Sequence, residues 1–157
     1  MTTPTRILHD AQRHRLGARL AGAAGAVAAV MAVWLIARYS GGIHVHTPAF
    51  GTAQRPAILS PGFAAIITVI ASSIAWGVLK LIERTARPRR AWTATGVAAL
   101  ALSLSGPLSG HGVTGADRLA LICMHLAVGT VLIPVFALST PARRSAGDPA
   151  TGPVSEG

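Results

Sequence analysis

Four long runs of this chain carry no Asp, Glu, Lys or Arg: 20–37, 56–79, 91–116 and 119–142. At about 1.5 Å of rise per residue, even the shortest run, 18 residues, makes a helix about 27 Å long, close to the hydrocarbon thickness of a bilayer. Of the 157 residues, 51% are hydrophobic and only 12% charged, where a soluble domain is about one quarter charged. The pattern excludes an ordinary soluble domain. It predicts an all-α fold, a four-helix transmembrane bundle with spans at about 16–37, 61–82, 91–108 and 118–138. Aromatic residues make up 4%, so the helices are expected to pack closely through Ala, Gly, Leu and Val.

The boundaries follow from local chemistry. Pro61 suits the first turn of a helix, and Pro88 stops the helix before it. The third run is the least apolar at its end, closing on Ser103, Ser105, Gly106 and Pro107; a buried or re-entrant segment is the alternative there. The first run exceeds a signal-peptide core of about 7–15 residues, which favours a retained span over a cleaved leader. Ahead of it, residues 1–15 form a basic tail in which Ile7, Leu8, Gln12 and Leu16 allow a short surface helix. Gly41, Gly42, Pro48, Gly51 and Pro56 predict a first loop, 38–60, without regular structure. Residues 139–157, rich in Pro, Gly and Ser, are expected to be a disordered tail.

The net charge of +9 can signal nucleic acid, but no basic face is interleaved with aromatics, so no nucleic-acid partner is expected. Position carries more information than the sum. Arg6, Arg13, Arg15, Arg19, Lys80, Arg84, Arg87, Arg89, Arg90, Arg143 and Arg144 fall on one side of a four-span layout; Arg38, Arg55 and Arg118 fall on the other. The positive-inside rule places both termini in the cytoplasm and the protein in the plasma membrane. Trp34, Tyr39 and Phe63 then lie at the outer interface, and Trp76, Trp92 and Phe136 at the inner one, depths that amphipathic rings favour.

Gly22, Ala26, Gly25 and Ala29 form a small-residue groove on the first span. Such grooves let helices approach closely. Packing within the chain is the plainer use, and a dimer face the sharper one. The expected partners are the bilayer and either another membrane protein or a second copy.

Candidate chemistry is sparse. His125, about seven residues into the last span, is the one ionisable group deep in a run apart from Cys123. It can be a proton-relay, haem or metal ligand, or a neutral imidazole bonded to Ser72, Ser73, Ser103 or Ser105 on another span. His44 and His46 form a His-x-His pair in the first loop, with His111 and Asp117 on the same side. Imidazoles suit zinc or copper, but no metal-site spacing is complete. The lone Cys123 forms no internal disulfide. No nucleophile motif, phosphate loop or dinucleotide fingerprint occurs, and no run holds a carboxylate. No catalytic residue, metal site or cofactor is therefore assigned.

Two stretches carry a resemblance. Residues 87–109 read RPRRAWTATGVAALALSLSGPLS, and residues 117–137 read DRLALICMHLAVGTVLIPVFA, with Met124-His125 and Ile133-Pro134 the most specific features. Together they resemble a family of small actinobacterial four-span membrane proteins of unknown function, DUF6069, over roughly residues 18–140. The resemblance implies a four-helix membrane fold and no known activity. A non-enzymatic accessory or interaction protein is the expected role. A small transporter or channel-like oligomer, or a His-dependent metal or redox protein, is the alternative.

Overall fold

The computed structural model describes residues 4–49 and 57–140, with side chains from residue 12 onward. In chain order it contains α1 (Pro4–Leu35), a π-helical turn (Ile36–Ser40), β1 (His46–Thr47), β2 (Ala57–Ile58), α2 (Pro61–Ile82), α3 (Pro88–Ser109) and α4 (Gly115–Ser139). Residues 50–56 and 141–157, with Arg55, Arg143, Arg144 and nearly all of the expected tail, lie outside the described residues.

Each helix begins and ends for a local reason. α1 runs without a break from the basic segment into the apolar run and widens into the π turn, where the Gly41 N–H donates to the Ile36 carbonyl five residues back (3.1 Å). Gly42 then turns the chain with φ +62°, a conformation glycine adopts without strain. α2 starts with Pro61 behind Ser60, whose hydroxyl accepts from the Phe63 N–H. α3 continues unbroken to Ser109 with Pro107 in its last turn, so the third run is a full-length helix and not a re-entrant segment.

All four helices are long and apolar enough to cross a membrane, the first counted from Gln12 to Ser40. Their outward faces are those of lipid-exposed helices. On α2 alone, Ile66, Ile67, Val69, Ile70 and Ile74 are exposed. In water so continuous an apolar face would be costly; in lipid it is the required surface. The chain is a membrane protein.

Close packing holds the bundle together. α1 lies along α4 and, to a lesser extent, α2; α3 leans on α4; α2 and α3 make few contacts with each other. At Gly22 a Cβ would stand 2.8 Å from Val135 Cγ1, and at Gly129 one would stand 2.6 Å from Leu100 Cδ2. The small-residue groove of α1 is thus used inside the chain, where Ala26 and Phe136 are fully buried.

At the end of the bundle where α1 and α4 carry Arg19 and Ser139, polar groups tie all four helices. The Arg19 guanidinium pairs with the Glu83 carboxylate and its Nε donates to Ser139 Oγ (3.2 Å). Arg89 donates twice to the Thr140 carbonyl (3.3 and 3.2 Å).

The opposite end corrects the reading of the first loop. Residues 38–60 do hold regular structure: β1 and β2 pair antiparallel, His46 opposite Ile58 and Thr47 opposite Ala57. The hairpin forms because Val45, 2% exposed, plugs the core and its carbonyl accepts from the Leu59 N–H (2.8 Å). Ala49 and His111 exchange backbone bonds, joining this loop to the α3–α4 turn.

Candidate functional site

Because α2 and α3 stand apart, a cavity of about 570 Å³ lies between them, with α4 as its floor. This volume falls in the range of about 300–1,000 Å³ typical of small-molecule sites. Ala64, Thr68 and Ala71 of α2 face Gly96, Ala99 and Ser103 of α3. Ala71 and Ala99 remain exposed, so the rim is open toward the lipid side. Val30 of α1 contributes from behind. Thr47, Pro48 and Leu59 close the hairpin end. Among the described residues no Asp, Glu, Lys or Arg lines the cavity.

The floor carries His125. Its imidazole is partly buried and lines the cavity together with Leu121, Met124, Val128 and Gly129. Its partner differs from the one the sequence suggested. Nδ1 lies 2.7 Å from the Leu121 carbonyl, one turn back on the same helix. The four serines are also satisfied locally: Ser72 by Thr68, Ser73 by Val69, Ser103 by Leu100 and Ser105 by Leu102. Short hydroxyl side chains reach a carbonyl on their own helix more easily than a side chain across a gap. The separation of α2 and α3 makes such a gap.

The loop histidines do not converge. His44 and His111 are exposed. His46 instead meets Asp117, its Nδ1 3.5 Å from Oδ1. Asp117, 2% exposed, is the hub of this end. It accepts from the His46 N–H (3.1 Å), the Thr114 N–H (3.0 Å) and Thr114 Oγ1 (2.9 Å), while its own N–H donates to Thr114 Oγ1. Together these bonds make a capping box for α4 and an anchor for the hairpin. Among the described residues no group of three or more His, Cys, Asp or Glu side chains is placed to hold a metal ion. Arg118 has a similar local use, donating to the Gly110 carbonyl (3.0 Å) at the end of α3.

Sequence reasoning missed three features of these sites. The Arg19–Glu83 pair joins residues 64 apart, and Glu83 sits in what reads as a basic loop. The cap at Asp117 was visible as Thr-x-x-Asp ahead of an apolar run. The cavity itself had no signal, since it arises from where two helices fail to meet.

The model of the Family of unknown function (DUF6069) matches residues 10–142. No curated protein and no solved structure matches the chain.

Proposed function

The chain belongs to the DUF6069 family of unknown function, and from that premise we propose that it is a non-enzymatic accessory membrane protein whose working site is the cavity between α2 and α3, where it holds an apolar molecule within the bilayer. One observation carries this reading: an uncharged, mostly apolar cavity, open at its lipid-facing rim, with a single imidazole on its floor. Catalysis would require a second acid or base beside His125; among the described residues the wall adds only the hydroxyls of Thr47, Thr68 and Ser103, each donating to a backbone carbonyl. An ion or solute pathway would require a continuous polar surface, which this wall does not offer. The charge pattern supports a plasma-membrane location with both termini cytoplasmic. The 87–109 and 117–137 segments support an actinobacterial origin.

The test is recovery of bound molecules. Protein extracted with its surrounding lipid and stripped of bulk phospholipid should retain an apolar compound, identified by mass spectrometry. Ala71→Phe and Ala99→Phe fill the cavity from exposed rim positions and should lose that compound while the helical content stays unchanged. Equal recovery from the wild type and both filled variants would overturn the proposal.

A further inference from the structure

Among the described residues the cavity wall contains five side chains able to donate a hydrogen bond: Thr47, Thr68, Trp92, Ser103 and His125. Each donor is already used. Thr47 Oγ1 donates to the Ala57 carbonyl (3.1 Å), Thr68 Oγ1 to the Ala64 carbonyl (2.7 Å) and Ser103 Oγ to the Leu100 carbonyl (2.8 Å). Trp92 Nε1 donates to the Ile133 carbonyl (3.0 Å). A carbonyl oxygen only accepts, so the 2.7 Å contact between His125 Nδ1 and Leu121 requires the proton to sit on Nδ1. With the proton of the neutral ring on Nδ1, Nε2 carries a lone pair. No hydrogen bond to Nε2 occurs among the described residues.

What the wall offers a ligand is therefore acceptor capacity, with Nε2 the strongest acceptor. We infer that the cavity binds a neutral long-chain alcohol, whose single O–H donates to His125 Nε2. The inference rests on the proposed binding role of the cavity and adds the chemical class. Among the described residues a ketone, ester or ether oxygen would meet no free donor in the wall, and an ionised headgroup would meet no countercharge to offset its desolvation. Depth points the same way. His125 lies ten residues into α4 from Gly115, about 15 Å from the hairpin end, well below where a phospholipid headgroup sits. The hydroxyl of a mobile lipid-soluble molecule reaches that level by entering sideways between α2 and α3.

The experiment uses full-length protein in phosphatidylcholine nanodiscs with nitrogen-15 labelled histidine. The two probes are tetradecanol and its methyl ether, which match in chain but not in donor. Without a probe, His125 should show a protonated Nδ1 and an unprotonated Nε2. Tetradecanol should shift the Nε2 resonance and leave Nδ1 in place. It should also bind about tenfold more tightly than the ether, the size of one hydrogen bond of about 1.4 kcal/mol. His125→Phe should erase that preference while retaining the ether's affinity. Equal binding of both probes with no Nε2 shift would overturn the hydroxyl class and leave the cavity as an apolar site. Binding of neither would overturn the cavity reading as well. A visible absorption band from a metalloporphyrin on the purified protein would also overturn the inference, by assigning the Nε2 lone pair to a metal.

Discussion

The Arg19 guanidinium, only 6% exposed, pairs with the Glu83 carboxylate across the end of the bundle and donates to Ser139 in the same stroke. One side chain thus ties α1 to the ends of α2 and α4. Breaking a buried pair from one side leaves a stranded charge and typically costs about 3–5 kcal/mol, whereas removing both partners costs far less. Arg19→Met and Glu83→Leu should each lower the melting temperature in detergent sharply. The double variant should recover much of the loss, and a double-mutant cycle reads the difference. Additive effects would show that the two groups do not interact.

The glycines of the two main contacts should respond differently. Gly22 abuts the short, branched Val135 at both Cγ1 and Cβ, with Phe136 beside it. Gly22→Val should destabilise the fold by about 1–3 kcal/mol, the usual range for overpacking. Gly129 meets the far end of Leu100, which lines the cavity and has room to turn into it. Gly129→Ala should fold with nearly wild-type stability and a smaller cavity. Thermal unfolding of the two variants distinguishes the sites.

Two tryptophans offer an internal contrast. Trp92 Nε1 is bonded to the Ile133 carbonyl, while Trp76 Nε1 is buried with no partner among the described residues. An unsatisfied buried donor costs about 1–3 kcal/mol. Trp76→Phe removes that penalty and should be clearly less destabilising than Trp92→Phe, although both lose similar apolar volume. The order of their melting temperatures checks this.

The hairpin end depends on Asp117. Asp117→Ala removes the acceptor for His46, the reciprocal cap with Thr114 and the link between the first loop and α4. A lost cap alone costs about 1 kcal/mol. Hydrogen exchange at His46 and across 114–118 should accelerate, while exchange in the middle of α2 stays slow. Unchanged exchange at His46 would place the anchor elsewhere.

The membrane fold was legible because lipid imposes length and apolarity on every span, and four uncharged runs satisfy both. Pro61 marked a helix start for the same local reason that the structure shows, whereas Pro88, expected only to stop the helix before it, is itself the first residue of α3. The hairpin was not legible. Its strands are two residues each, and Val45 and Leu59 fix it by burial, which no sequence period records. His125 could be recognised as the notable polar group, but its partner could not. Predicting bonds to serines assumed that all four helices meet, whereas α2 and α3 stand apart and leave the imidazole bonded to its own helix.

That separation is the central claim, and a spin label at Ala99 tests it most directly. Cys123 is exposed, so the label is placed on Ala99→Cys in a Cys123→Ser background, in nanodiscs. Molecular oxygen partitions into apolar regions and a nickel chelate stays in water. The label should collide freely with oxygen and hardly at all with the chelate, as expected for an apolar cavity open to lipid. Strong relaxation by the nickel chelate would contradict the account, showing that water fills the space between α2 and α3.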